Sequence, residues 1–515
     1  MTSAVAPAPT RTGRALATVC GVLFLTFLDT TIVAVTLGDV QSDLHAGVTA
    51  LQWVVNAYAL VFASLMLTGG SLGDRLGRKR VMLVGLGVFA AGSLLGALAS
   101  SVGVLLAARA VMGVGAAASE PGTLSVIRHL YPQPRARARA IGAWAAVCGL
   151  ALAFGPIAGG TLVGVGGWRA VFWFNLAVGV LLLAAAARLV PESADPRPGG
   201  VDVPGFLLGA VALAAVIFAV IGGEDAGYRA GWVVALFAVG AIALPAFLLV
   251  ESRSRAPMLD PRYFRLPGFS GPLVVAFAVY FGVFSIFFFT ALYLEVVVGY
   301  SGYRTAGQFA PMAVAMVGGS LLTGRWVARS GGRIPMVTGC LLAAAGILLT
   351  ERYLGRDDPF DPLLLSLGVA GLGFGIAVVP VTSAVLGVVP AQRSGMAASA
   401  TNTSRQLGAV FGTAILGSIV NAHLTSDLSA RLGQLNIPAN FQSIVIDAVE
   451  RGTVPSAGSG GAAAASAAFG PIVQQVIDAA YAAFRAGLHT SLLSSAALIV
   501  AAAAVALLTV RSDAT

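Results

Sequence analysis

Charged residues are scarce in this sequence: they make up 10% of its 515 residues, whereas hydrophobic residues make up 57%. A soluble globular protein carries about 25% charged residues. A chain with so few cannot cover a surface that faces water, so most of its surroundings must be lipid. The net charge of +9 does not indicate nucleic-acid binding, because the arginines stand in short loops between apolar runs.

Residues that carry chemistry are scarce as well. The three cysteines fall inside apolar runs without CxxC spacing, which argues against a disulfide or a metal site. An enzyme would need a cluster of reactive side chains near one interface, but the four histidines are scattered: His45, His129, His423 and His489. The phosphate-binding motif GxxxxGK[ST] is absent, so an ATP-driven pump is not supported. We therefore expect no enzyme, no metal and no bound cofactor.

Long apolar runs dominate the chain. A transmembrane helix needs about 20 apolar residues, and the sequence predicts fourteen such spans in an all-α membrane protein. The first run is too long for a signal peptide. The predicted spans are 15–37, 52–72, 80–99, 103–127, 140–163, 169–190, 204–222, 231–250, 270–297, 306–328, 334–353, 362–389, 396–421 and 488–510.

The distribution of Lys and Arg predicts the orientation, since cytoplasmic loops are rich in these residues. If the N-terminus is inside, 21 of the 31 Lys and Arg lie on the cytoplasmic side and 8 on the outer side, while Arg109 and Arg405 lie within spans. We therefore expect a multi-pass protein of the inner (plasma) membrane with both termini in the cytoplasm.

An internal repeat divides the chain into halves. GGSLGDRLGRKR begins at Gly69 and GGSLLTGRWVARSGGR begins at Gly318, each at the inner end of an out-to-in span. Repeated halves are typical of secondary transporters. We predict a six-helix half over 1–190, a linker with an inserted helix pair over 191–265, and a second half over 266–515. The second half includes a long outer loop, 422–487, with possible amphipathic helices near 443–450 and 472–485; a flexible spacer is the alternative.

The first copy of the repeat combines glycines with one acid among cations: Gly70, Asp74, Arg75, Gly77 and Arg78. Glycines allow a sharp turn, and Asp74 can pair with the cations or with a neighbouring helix N-terminus. A positive-inside topology loop is the alternative. The motif resembles the signature between spans 2 and 3 of the major facilitator superfamily, which implies a fold of two six-helix halves and a gating role for these residues.

Leu28-Asp29-Thr30-Thr31 in span 1 resembles the signature of the fourteen-span drug:proton antiporters. An ionised carboxylate in mid-membrane costs about 2.5–3.5 kcal/mol, so Asp29 must be paired, protonated or facing water. Arg109 begins a segment that resembles the span-4 motif of the same family. Asp29 lies roughly 12 Å and Arg109 roughly 9 Å below the outer ends of their spans, so the two are at similar depth. Proton coupling needs a carboxylate whose pKa can change. A fixed ion pair is the alternative.

Glu120 is an unusual charge for this family, which more often has an apolar residue before the proline of span 4. It is a candidate second proton site or a contact for a cationic substrate. Alternatively, it is paired with Arg128 or with the loop arginines. Three further candidates for substrate binding stand in family-like motifs: Glu295, Asn402 and Arg405. Glu295 lies near the outer edge, where an interfacial charge is equally plausible.

Span 5 contains the glycine- and proline-rich segment Gly155-Pro156-Ile157-Ala158-Gly159-Gly160, which resembles the antiporter signature of exporters. These residue types allow close helix packing and a kink, and packing alone is the alternative explanation. The resemblance covers residues 15–420 and span 14, and does not extend to the outer loop.

Together the resemblances imply a proton-coupled antiporter that exports hydrophobic or cationic drug-like compounds by alternating access. An exporter of one dedicated host metabolite, such as an antibiotic or a siderophore, is the alternative, while a membrane enzyme or receptor has little support. Expected partners are the lipid bilayer and a small amphipathic substrate, with protons as the coupling ion and a monomer as the functional unit.

Overall fold

A computed structural model describes residues 9–46, 48–194, 202–254, 257–298, 300, 302–354, 360–434 and 471–510, and all the regular structure in these ranges is helical. The fourteen long helices are α1 (Pro9–Ile32), α2 (Val48–Leu76), α3 (Arg78–Ala97), α4 (Val102–Leu130), α5 (Pro134–Gly166), α6 (Arg169–Leu189), α7 (Val203–Ala226), α8 (Gly231–Arg253), α9 (Pro267–Leu292), α10 (Gly302–Ser330), α11 (Arg333–Tyr353), α12 (Phe360–Val388), α13 (Ser394–Gln434) and α14 (Pro471–Thr509).

Each of these helices matches one predicted span. Thirteen are individually long and apolar enough to cross a membrane, and α5 meets the same test as two segments bent by 47°. Within the described residues, this confirms the predicted all-α fold with fourteen membrane helices. A 3₁₀ turn (Val33–Thr36) and a short helix (Leu37–Leu44) continue α1. We call the end of the bundle that carries Arg75, Arg78 and Lys79 the basic face.

The last two helices are longer than their apolar runs. The sequence places span ends at 421 and 488, but α13 continues to Gln434 and α14 begins at Pro471. Leu428 and Leu432 on the extension of α13 are buried, and so is Ala483 on the extension of α14. The two helices therefore remain packed beyond the ends of their apolar runs. The predicted loop is therefore shorter, and the predicted helix near 472–485 is the start of α14. The segment 443–450 lies outside the described residues.

The two groups of six helices, α1–α6 and α9–α14, meet mainly along two helix pairs, with smaller contacts between α5 and α12 and between α4 and α13. One pair is α5 with α10 and the other is α2 with α13. Since the repeat makes α10 the counterpart of α2, these two contacts are equivalent. The α5–α10 crossing is close: a Cβ at Gly142 would lie 2.8 Å from the carbonyl oxygen of Ser320. Small residues at crossings allow such approach in membrane proteins.

The inserted pair, α7 and α8, forms a hairpin in which α7 packs against α2 and α13 and α8 packs against α7. Helix α7 therefore contacts both groups at the same side of the bundle. Asp202 begins α7 by accepting a hydrogen bond from the Gly205 amide at 2.9 Å. The carboxylate of Glu251, at the end of α8, accepts one from the Leu259 amide at 3.0 Å. Both bonds stabilise ends of helices at the basic face.

Candidate functional site

A contact between the two halves closes the basic face. Asp74, at the end of α2, accepts hydrogen bonds from the amides of Gly395 and Met396 at 2.9 and 3.0 Å. These are the first free amides of α13, where the helix dipole favours a negative charge. Arg78 bonds the same carboxylate at 2.7 Å and donates to the carbonyl of Ala391 at 3.0 Å. We call these five residues the clasp.

The expected pairing of Asp74 with its neighbouring cations is only partly present. Four cations follow Asp74 in the motif: Arg75, Arg78, Lys79 and Arg80. Among the described contacts, Arg78 alone joins the clasp. Lys79 donates to the Ala187 carbonyl, and Arg80 lies 3.8 Å from Glu192. Arg75 lies in the last turn of α2.

Glycines of the same motif allow the approach. A Cβ at Gly70 would lie 2.4 Å from the carbonyl oxygen of Gly395, so any side chain there would push the halves apart. Gly77 has a positive φ of 108°, which favours glycine, and it turns the chain between α2 and α3. Gly77 also lies against Glu192, whose carboxylate accepts bonds from the first amides of α3.

The first half contains a fully buried ion pair. Arg109 Nη1 donates to Asp29 Oδ2 at 2.5 Å, and both side chains are inaccessible to solvent. Asn175 donates to the other carboxylate oxygen at 2.7 Å. Both oxygens of Asp29 therefore accept hydrogen bonds, as those of an ionised carboxylate can. The sequence prediction that Asp29 and Arg109 lie at similar depth agrees with this geometry.

Arg109 is held by more than Asp29. Its Nε donates to the Val54 carbonyl at 2.8 Å, and its guanidinium lies 4.5 Å from the centroid of the Tyr58 ring. Tyr58 in turn donates to the Thr26 carbonyl at 2.9 Å. The network thus joins α1, α2, α4 and α6, so a change of charge at Asp29 would affect four helices of one half. Arg109 Nη2 is buried without a hydrogen-bond partner among the described residues.

A second buried polar cluster crosses between the halves. Glu120 on α4 accepts two hydrogen bonds from the Asn402 amide on α13, at 3.0 and 2.7 Å. The Asn402 oxygen accepts from Arg405 at 3.0 Å, and Arg405 also donates to Thr382 at 2.5 Å. Three of the predicted substrate-binding residues therefore lie together. Pairing of Glu120 with Arg128 is wrong for this structure, because Arg128 donates to the Val389 carbonyl at 2.6 Å.

Aromatic rings surround Arg405. Its guanidinium lies 5.2 Å from the ring centroid of Trp144 on α5 and 5.5 Å from that of Tyr280 on α9. Both distances are within the range of a cation–π interaction. Trp144 is held by donating to the Thr123 hydroxyl at 3.0 Å, one turn from Glu120.

An apolar chamber lies next to this cluster. Phe284 lines it and stacks on Tyr280 with centroids 6.4 Å apart, which connects chamber and cluster. The volume of the chamber is about 50 Å³, whereas pockets for drug-sized ligands measure about 300–1,000 Å³. The chamber is therefore too small for a drug-sized ligand in this conformation. Its larger lining residues are Leu152, Phe284, Phe287, Phe309, Met312 and Met316.

The bend of α5 lies at the predicted glycine–proline motif, between the segments that end at Leu152 and begin at Ile157. A Cβ at Gly155 would lie 1.9 Å from the hydroxyl of Thr31, and one at Gly159 would lie 2.9 Å from the carbonyl of Ile32. The motif therefore brings α5 against α1 near Asp29. Gly160 lies on the second segment, and the side chain of Pro156 lies outside the described residues.

Glu295 lies on a π-helix, Tyr293–Val297, that continues α9. Its side chain lies outside the described residues, so its assignment to substrate binding stays a prediction.

The sequence reading missed several contributors to these clusters. Asn175 stands in a family-like motif and could have been recognised as a polar residue inside a span. Tyr58, Trp144, Tyr280 and Thr382 carry no such signal, because aromatic and hydroxyl residues are common in buried helices.

Comparisons with known proteins agree with this architecture. The family model "Major Facilitator Superfamily" matches residues 19–413. The multidrug efflux pump LfrA of Mycolicibacterium smegmatis is 34% identical over 503 residues, which cover 96% of each chain. The multidrug resistance protein Stp of Mycobacterium tuberculosis is 34% identical over 80% of this chain and 76% of its own.

A similar solved structure is that of the human organic anion transporter MFSD10 (TETRAN). It has a TM-score of 0.65 at 15% identity and covers 97% of this chain and 100% of its own. At this identity the likeness shows the fold alone. The matched family model and the full-length relatives show that this chain, a multi-pass membrane transporter and not an enzyme, belongs to the Major Facilitator Superfamily.

Proposed function

We propose that this protein is a proton-coupled antiporter that exports hydrophobic or cationic drug-like compounds by alternating access. The observation that carries the proposal is the fully buried Asp29–Arg109 pair, with both carboxylate oxygens of Asp29 occupied by donors. Protonation of Asp29 would remove one charge of the pair and leave Arg109 buried without its counter-ion. Breaking a buried pair costs about 3–5 kcal/mol, which is enough to drive a rearrangement of the first half.

The substrate site of the proposal is the chamber together with Glu120. Aromatic and methionine side chains bind varied apolar groups, because methionine is flexible and polarizable. Glu120 supplies a buried negative charge for a cation. The small chamber volume in this conformation supports a cycle in which the halves must separate before a compound enters. The relatives that are multidrug efflux proteins support export.

The proposal places the basic face in the cytoplasm, with both termini on that side of the inner membrane, because the cationic loops lie there. The clasp then closes the cytoplasmic entrance in this structure. Helices of both six-helix groups of one chain line the proposed substrate site, which supports the monomer as the proposed functional unit. Protons are the only coupling species proposed, with no bound cofactor and no nucleic acid.

Inverted membrane vesicles test the proposal directly. A proton gradient with an acidic vesicle lumen should drive uptake of the cationic dye ethidium only when the protein is present. Nigericin collapses the gradient and should abolish this uptake. A panel of cationic, neutral and anionic compounds then tests substrate breadth. Transport of a single antibiotic-like metabolite and of nothing else would favour the alternative of a dedicated exporter. Transport that ignores the proton gradient would contradict the proposal.

A further inference from the structure

Arg405 lies beside the proposed substrate site, and its guanidinium is surrounded as a bound organic cation would be. Its guanidinium lies over two aromatic rings from opposite halves, Trp144 and Tyr280, at 5.2 and 5.5 Å. Only 2% of Arg405 is exposed, and Trp144 is fully buried. A positive charge taken so far from water needs strong local partners. The two rings, the amide oxygen of Asn402 and the hydroxyl of Thr382 provide them here.

The same groups would hold an organic ammonium or phosphonium ion. Aromatic faces recognise cations that cannot donate hydrogen bonds, and Glu120 offers a fully buried carboxylate bonded to Asn402. A further sign of a ligand site is the Tyr280 hydroxyl, which is buried without a hydrogen-bond partner among the described residues. Phe284 connects this ring to the apolar chamber, where the hydrophobic part of an amphipathic cation would lie.

We propose that Trp144, Tyr280 and Glu120 form the subsite for the charged group of organic cations, and that Arg405 occupies this subsite as a tethered competitor when the basic face is closed. An entering cation displaces the Arg405 side chain, and Arg405 returns when the cation leaves. The inference rests on the proposed export function and adds the chemical class of the recognised group and the residue that competes with it.

The displacement has a simple physical basis. Two cations cannot occupy the same pair of rings, since like charges at contact distance repel strongly in a low-dielectric interior. Arg405 has a long, flexible stem and two further partners on its own half, Asn402 and Thr382. These partners can retain the side chain when it leaves the ring of Trp144. The return of Arg405 favours release of the substrate, so competition would prevent a tightly bound cation from blocking the cycle.

Binding to the purified full-length protein in lipid nanodiscs tests the inference. The probes are tetraphenylphosphonium and, as a neutral compound of related shape, triphenylphosphine oxide. Arg405→Met removes the charge but keeps an unbranched side chain, so tetraphenylphosphonium should bind about tenfold more tightly and triphenylphosphine oxide with unchanged affinity. Arg405→Lys keeps a competing charge on the side chain, so its gain in affinity should be clearly smaller than that of Arg405→Met. Adding Trp144→Leu to Arg405→Met should abolish the gain.

Transport gives a second readout that a purely structural role of Arg405 would not produce. With Arg405→Met, the efflux of tetraphenylphosphonium at saturating concentration should become slower although binding is tighter, because release loses its competitor. Thermal unfolding of each variant checks folding, and Arg405→Gln, which keeps amide donors for Thr382, carries the same expectation if the methionine variant is unstable.

Three results would overturn the inference: equal weakening by the Met and Lys variants, an equal gain for the neutral probe, or unchanged affinity in every Arg405 variant. Any of these together with normal proton-driven efflux by the wild type would leave the export function intact. Failure of the wild type to transport any probe would instead count against the export function.

Discussion

The clasp makes a prediction about the balance between closed and open states of the basic face. Asp74→Asn removes the negative charge and one acceptor oxygen while keeping the shape. Two of the bonds of Asp74 go to Gly395 and Met396 across the halves, whereas its bond to Arg78 lies within one half. Of the bonds that Asp74 itself makes, only these two stabilise the closed state directly.

The magnitude follows from those two bonds. A hydrogen bond to a charged group contributes about 1.5–3 kcal/mol, and the amide side chain can keep one of the two. We therefore expect the ratio of closed to open molecules to fall about 10- to 100-fold, since 1.4 kcal/mol corresponds to a factor of ten.

Distance measurements between spin labels can detect this shift. Gln133 and Gln392 are exposed residues at the basic face on opposite halves, and cysteines there would report its opening. Asp74→Asn should move the distance distribution to longer values. Glu192→Gln removes a charge from the same face without a described bond across the halves, so it should leave the distribution unchanged. An unchanged distribution in the Asp74 variant, at normal membrane abundance, would refute the clasp.

Three further predictions use independent readouts. Gly70→Ala places a Cβ against the backbone of α13 and should open the basic face as Asp74→Asn does. Gly87→Ala is the control, because its added Cβ meets no described atom within 4 Å, and it should leave the face closed. Equal spin-label distances in the two variants would contradict this prediction. Glu120→Gln should reduce the efflux rate of cationic compounds at least tenfold in vesicles, while the efflux rate of neutral compounds changes less than threefold. Equal losses for the two classes would exclude a charge contact between Glu120 and the substrate. Reporter fusions after Arg139 should read cytoplasmic and fusions within 425–434 should read external, and a cytoplasmic signal at the latter would reverse the orientation.

Much of the architecture could be predicted because lipid imposes a single length and composition on every span. Asp29 and Arg109 could also be placed at similar depth, since the helical rise converts position in a span into height. The end of α13 and the start of α14 could not be predicted. Their outer turns are polar and are held by buried residues such as Leu428, whereas hydropathy detects only long apolar runs.

The cluster across the halves was only partly predictable. Glu120, Asn402 and Arg405 were recognised as charged or polar residues inside spans, but their mutual contact depends on how α4 and α13 cross. Trp144 and Tyr280 have the sequence character of ordinary core aromatics. Their importance comes from the position of Arg405 over their rings, which only the tertiary structure provides.

Uphill transport by Asp29→Asn tests the central claim most directly. The wild type and two variants, Asp29→Asn and Asp39→Asn, are reconstituted in liposomes, and the dye gradient and proton flux are measured together. Asp39 is an exposed acid close to Asp29 in sequence and serves as the matched control. The account predicts that Asp29→Asn loses both proton flux and accumulation against a gradient, while downhill dye exchange persists and the control behaves as the wild type. Full uphill transport by the Asp29→Asn protein would contradict the assignment of Asp29 as the proton carrier.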